Sequence, residues 1–175
     1  MMASYDDGKQ DIVEYICQHF PHGSTCLDVG ACDGKWHGLL GHHLVMDAVE
    51  IFEPNVSYYN LADRYRHVYT CDVYDLAYDW YDLIIFGDVL EHMTVERAQA
   101  VLDYAKSRCN DLIIGVPYLY RQEPLYGNEY ERHIQDDLTE KIFKERYPGY
   151  EILTKPRGDY AYYHAASPPM RKKTP

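Results

Sequence analysis

Apolar residues recur along this 175-residue chain with two alternating periods. Five short stretches read as strands, over residues 25–29, 46–52, 68–71, 82–86 and 112–116. Their apolar residues run together, as Leu83, Ile84, Ile85 and Phe86 do, which suits strands covered on both faces. Between them the spacing becomes helical. Ile12, Ile16 and Phe20 share one face of a helix over 11–20. Trp36, Leu39, Leu40 and His43 mark another over 35–43, and a short helix covers 55–63. Thr94 stands where an N-cap belongs for a helix reaching Ser107, whose core face is Ala98, Val101, Leu102 and Ala105. A last helix over 137–147 turns Leu138, Ile142 and Phe143 inward. Two further strands, 150–154 and 159–165, lie either side of Lys155-Pro156-Arg157-Gly158. This order predicts an α/β, doubly wound Rossmann-like sheet. Its seven strands are mostly parallel, with a C-terminal antiparallel hairpin and helices on both faces.

The length suits one domain, expected over 1–166, after a polar arm at 1–10. Residues 167–175 hold three prolines and three basic residues and read as a disordered tail. A formal net charge of −11 argues against nucleic acid as a partner and suits a neutral or cationic ligand. No early stretch resembles a signal peptide and no apolar run is long enough to span a membrane, so a cytoplasmic protein is expected. The five cysteines are scattered, with no C-x-x-C pair, and read as reduced thiols.

The first strand ends in Asp28-Val29-Gly30-Ala31-Cys32-Asp33-Gly34 and leads into a helix. Strand, glycine turn and helix open a nucleotide-binding βαβ unit, in which glycine lets the backbone approach a ligand. Cys32 stands where the full signature has a second glycine. Acids follow at successive strand ends: Asp28, Glu50, Asp72 and Asp88. An acid about 20 residues after the glycine turn accepts hydrogen bonds from ribose hydroxyls. Glu50, which directly follows Ala48-Val49 in the strand, is preferred, with Glu53 as its rival. On such sheets ligands bind at the carboxyl ends of the strands.

Together these segments resemble the class I S-adenosylmethionine-dependent methyltransferases. Leu27–Gly34 resembles their glycine motif, Val49-Glu50-Ile51 their second-strand acid and Cys71-Asp72-Val73 their adenine-side acid. Residues 81–93, which include Gly87-Asp88-Val89-Leu90-Glu91-His92-Met93, are similar to the fourth-strand motif of the ubiquinone-biosynthesis-like branch. The resemblance covers roughly residues 11–165. It implies S-adenosyl-L-methionine as cofactor and S-adenosyl-L-homocysteine as product. It implies cofactor contacts at Asp28, Gly30, Ala31, Cys32, Gly34, Glu50, Ile51, Asp72, Val73, Asp88 and Val89. It also implies methyl transfer to a small-molecule acceptor. The sulfonium is cationic, which suits an acid-rich crevice. Two features depart from the family: Cys32 replaces a glycine, and the chain leaves little room for a substrate-binding cap.

His92, beside the expected cofactor site, and His133, in a long loop after the fifth strand, are the candidate proton acceptors. A loop-shaping hydrogen bond is the alternative for each. The loop carries Tyr118, Tyr120, Tyr126 and Tyr130. Tyr118, Tyr126 and His133 are the candidate acceptor contacts of a lid or pocket wall. A tyrosine-rich face packed on a second copy is the alternative, so a homodimer is possible. No His, Cys or acid group shows metal-ligand spacing outside the fold's own motifs, and no metal is expected. The competing functions are a non-catalytic methyltransferase-like binding module and, less favoured by the motifs, an NAD-dependent oxidoreductase.

Overall fold

The computed structural model describes residues 8–125 and 127–165. Of the expected arm at 1–10, residues 1–7 lie outside the described residues, as do Tyr126 and the expected tail, whereas Lys9 and Gln10 belong to the first helix. Among the described residues five α-helices and seven β-strands follow in order: α1 (Lys9–His19), β1 (Thr25–Val29), α2 (Lys35–Leu40), β2 (Val45–Val49), α3 (Glu53–Tyr58), β3 (Val68–Tyr69), β4 (Tyr81–Gly87), α4 (Val95–Lys106), β5 (Cys109–Pro117), α5 (Glu140–Arg146), β6 (Tyr150–Thr154) and β7 (Tyr160–Ala165). They form one sheet of order β3-β2-β1-β4-β5-β7-β6. The pairs from β3 through β5 are parallel, and β7 runs antiparallel to both β5 and β6. This is the expected mostly parallel, doubly wound sheet with its closing hairpin.

The side chains of the central strands alternate between two cores. Leu83 and Ile85 of β4, Ile113 of β5 and Tyr160 and Tyr162 of β7 pack with Ile12 and Ile16 of α1 and Trp36 and Leu40 of α2. Ile84 and Phe86, Leu112, Ile114 and Val116, and Ala161 and Tyr163 pack with α4 and with Phe143 of α5. Phe143 stacks on Tyr163 with ring centroids 3.8 Å apart. Both faces are therefore covered, which is why these strands read as continuous apolar runs rather than as alternation.

Several boundaries move, for local reasons. β2 stops at Val49 because the Glu50 carboxylate accepts the Phe52 backbone N–H at 2.8 Å and bends the chain into α3, which has Pro54 in its first turn. Helix α2 closes at Leu40, where Gly41 N–H bonds the His37 carbonyl at 2.8 Å. Thr139 caps α5 through the Ile142 N–H at 3.2 Å, so that helix begins at Glu140. Thr94 caps α4 as expected, and all four residues of its expected core face are buried. The strand order reverses between β1 and β4, and the carboxyl ends of both open into one cleft.

Candidate functional site

The turn after β1 is stitched to β2: Gly30 and Ala31 N–H both donate to the Val49 carbonyl, at 2.9 and 3.1 Å. Gly30 has φ +73°, and a Cβ there would stand 2.6 Å from Val89 Cγ2. Glycine is thus required both by backbone angle and by contact with the opposite wall. Cys32 carries a positive φ of 46°. Its N–H donates to Glu50 Oε2 at 2.8 Å. The second glycine that the sequence lacks is replaced by a strained residue held through the second-strand acid. Gly87, at the end of β4, faces Trp36: a Cβ there would lie 2.5 Å from the indole Nε1.

These strand ends enclose a cavity of about 450 Å³. Its walls include Gly30, Ala31, Cys32, Glu50, Ile51, Asp72, Val73, Asp88, Val89, His92 and His133. Three of the expected site residues stand elsewhere. Asp28 is 1% exposed beneath the floor, accepting the Tyr65 hydroxyl at 2.6 Å. Gly34 is buried against the Arg64 guanidinium, which donates to the Asp33 and Gly34 carbonyls. Tyr118 turns into the core, where its hydroxyl pairs with that of Tyr163; it directly follows β5 and its N–H donates to the Asp159 carbonyl at 2.8 Å, which holds it beside the closing hairpin. Tyr120, Tyr130 and Ile134 line the cavity from the following loop.

Each wall acid has its own holding pattern. Glu50 is buried, with Oε1 on Phe52 N–H and Oε2 on Cys32 N–H. Burial raises its carboxyl above the usual range, against those hydrogen bonds and one from Asn55. Asp72 accepts the Tyr74 N–H at 2.9 Å and pairs with Arg97, whose guanidinium lies over the Tyr74 ring. Burial raises Asp88 too, opposed by Lys9, Tyr160 and Lys35. Glu131 reaches the cavity from a short 3-10 turn (Glu129–Glu131), with its carboxylate on Gln122 and Asn128. With Asp33 and Glu91, six carboxyl groups among the described residues line one cleft.

Three groups close the far side. The short 3-10 turn Leu90–His92 carries Glu91 and His92, and the loop after β5 brings His133 to them. The two imidazoles meet edge to face, centroids 4.7 Å apart. His92 Nδ1 donates to the Arg132 carbonyl at 3.1 Å, and His133 Nδ1 to the Tyr120 carbonyl at 2.7 Å. Burial and the neighbouring His133 push His92 down to about 4. Burial lowers His133 as well. Both rings are therefore neutral at pH 7. Glu91 lies within the fourth-strand motif, whose residues give it no role by themselves. Its adjacency to His92 was the available signal. Arg97 and Trp36 gave none, since each reaches the cavity from a different helix.

No protein-family model matches the chain, and no curated protein matches it in sequence. Solved structures do. An S-adenosylmethionine-dependent methyltransferase from Clostridium acetobutylicum aligns over 93% of this chain and 91% of its own, with TM-score 0.68 and 11% identity. The 1,6-didemethyltoxoflavin-N1-methyltransferase of Burkholderia thailandensis, solved with 1,6-didemethyltoxoflavin and S-adenosylhomocysteine bound, aligns over 87% and 73%, with TM-score 0.62 and 19% identity. Magnesium protoporphyrin IX methyltransferase of Synechocystis, with S-adenosylmethionine bound, aligns over 89% and 76%, with TM-score 0.57 and 19% identity. The chain has the fold of the class I S-adenosylmethionine-dependent methyltransferases. At these identities the likeness establishes fold.

Proposed function

We propose that the cleft binds S-adenosylmethionine and that the protein transfers a methyl group to a small-molecule acceptor. The observation that carries this is Glu50: a buried carboxylate at the end of β2, on the wall of the cavity and bonded to the glycine turn. Two of its lone-pair sites take backbone N–H groups and one takes the Asn55 side chain, and a ribose hydroxyl can use what remains or replace Asn55. The residues present fit the cofactor in chemistry as well as position. Asp72, held by Arg97 and Tyr74, offers an acceptor for an adenine amino group. Ile51, Val73 and Val89 supply apolar walls for a flat base. The surrounding carboxyl groups favour a cation in the cleft.

The bound cofactor supplies an electrophilic methyl on sulfur. The chain's own part is to bind, align and exclude water. Ala31 and Cys32 form the floor with Gly30, and Asp88 borders the cofactor side with Val89. His92, His133, Tyr120 and Tyr130 form the acceptor side. A neutral imidazole with its N–H committed to a carbonyl keeps a lone pair on the other nitrogen, available when an acceptor must lose a proton.

Isothermal titration with S-adenosylhomocysteine and, separately, NAD tests the cofactor. Saturable binding of the first alone is expected, and a preference for NAD would refute the reading. Transfer of a radiolabelled methyl across an acceptor library then separates an enzyme from a binding module.

A further inference from the structure

Among the described residues, Glu91, His92 and His133 bring one ligand atom each to within 4.8 Å of one another. Glu91 is 0% exposed, and neither carboxylate oxygen meets a donor on another residue. An acid placed so is costly unless something neutralises it. It is not sealed in the core, because Glu91 borders the cavity beside both histidines. We propose that Glu91, His92 and His133 form a binding site for a divalent transition-metal ion at the acceptor end of the cleft.

The surroundings match what such an ion demands. Each histidine gives its Nδ1–H to a backbone carbonyl, of Arg132 or Tyr120. Ligating imidazoles are characteristically fixed this way, with the second nitrogen left for the metal. The turn that carries Glu91 and His92 is tied to the loop segment that carries His133. The Glu91 carbonyl accepts N–H groups from Ile134 and Gln135 at 2.7 and 3.0 Å. All three ligands therefore sit on one cross-braced unit.

Two nitrogens and one carboxylate oxygen form a donor set suited to Zn²⁺, Mn²⁺, Fe²⁺ or Co²⁺. Mg²⁺, which prefers oxygen, is disfavoured. Ligand atoms around an ion bound at about 2.1 Å lie about 3–3.5 Å apart. Binding therefore draws the three groups slightly together. Three protein ligands leave positions for water or for an oxygen atom of an acceptor on the cavity side. Sequence spacing did not reveal this set, because His133 is remote along the chain.

The test uses the full chain without a histidine tag, stripped with chelator and titrated calorimetrically with ZnCl₂, MnCl₂ and MgCl₂ separately. Zn²⁺ or Mn²⁺ should bind at one equivalent per chain, and Mg²⁺ much more weakly. Glu91→Gln and His133→Asn should each weaken that binding at least about 10-fold. His43→Asn, at the distant His22–His43 ring pair, should not. Circular dichroism of each variant checks its fold, and Glu91→Gln keeps the buried shape while removing the charge. The Co²⁺ visible spectrum should show a single nitrogen- and oxygen-bound species that Glu91→Gln abolishes. Absence of saturable binding in the parent would overturn the site, as would binding that survives both Glu91→Gln and His133→Asn. S-adenosylhomocysteine titrated into the same samples keeps the two proposals apart: metal binding without it sinks the methyl-transfer reading and leaves the metal site standing.

Discussion

Glu50 and Glu53 are three positions apart and differ in everything that matters for binding. Glu50 is buried on the cavity wall with both oxygens fixed by backbone N–H groups. Glu53 is exposed in the first turn of α3, its carboxylate near Ser57. Glu50→Ala should weaken S-adenosylhomocysteine binding by about 1.5–3 kcal/mol, the scale of a hydrogen bond to a charged group, and Glu53→Ala should leave it unchanged in the same calorimeter. A reversed result reassigns the ribose acid. Asp28 allows a different kind of test. Burial raises its carboxyl from 3.8 to about 7, against the Tyr65 hydrogen bond and Lys9. The folded protein therefore holds a proton there that the unfolded chain releases near pH 4. The resulting stabilisation is complete below pH 4 and is lost as pH rises through about 7. Asp28→Asn cannot titrate, so melting curves should show the parent losing on the order of 5–10 °C relative to that variant between pH 4 and pH 8; parallel curves would mean that Asp28 is ionised throughout. Asp28 also shows where reading residues in sequence stops. Its place in a strand-turn-glycine motif was legible, but alternation along β1 decides which face it occupies, and that face is beneath the cleft. The glycine turn and Glu50 were legible because local backbone chemistry fixes them. Glu91 with His133 was not, since no local rule joins a 3-10 turn after β4 to a loop after β5.

At the scale of elements, the sheet was readable because each strand must cover two apolar faces and each helix one. The long loop was not, because its order comes from polar bonds that leave no periodic trace. The sequence suggests a lid or pocket wall over the acceptor, and the described part of the loop between β5 and α5 is held by several polar bonds. His133 N–H meets the Gln122 carbonyl at 3.0 Å, and the Gln122 side chain holds the Glu131 carbonyl at 2.8 Å. Gln135 is buried and donates to the Leu90 and Met93 carbonyls, at 2.8 and 3.1 Å, while accepting the Tyr147 hydroxyl. One side chain thus joins the loop, the Leu90–His92 turn and the end of α5. Gln135→Ala should cost about 2–4 kcal/mol in urea unfolding, because buried carbonyls lose their donors. It should also speed amide exchange across 129–134 more than in β4; equal protection would show that the loop is held by packing instead. Tyr120 lies at the same boundary with its ring against His133, centroids 5.4 Å apart. With an acceptor in hand, Tyr120→Ala should reduce turnover on the order of 10-fold while leaving S-adenosylhomocysteine affinity nearly unchanged. Loss of that affinity instead would make the loop a cofactor clamp.

For the whole molecule, the cleft is where the sheet's two halves meet. β1, β2 and β3 run out on one side of the strand-order reversal and β4 and β5 on the other, and the cavity draws residues from both. No helix among the described residues is long and apolar enough to cross a membrane. A ligand filling that space ties the glycine turn, the second- and third-strand acids and the Asp88 turn into one unit, and the unfolded chain offers no comparable site. Binding must then appear as stability. At a concentration 100 times its dissociation constant, S-adenosylhomocysteine should add about 2.7 kcal/mol, which for a chain of this size is on the order of 5–10 °C in melting temperature. NAD at the same concentration should add nothing. Glu50→Ala at that fixed concentration should lose most of the shift, whereas Glu91→Gln, on the acceptor side, should keep it. The last contrast carries the most weight, because Glu50 and Glu91 are both buried acids lining the same cavity. If Glu91→Gln abolished the shift as fully as Glu50→Ala, the cofactor would extend across the whole cleft. The division of the site into a cofactor half and an acceptor half would then have to be abandoned.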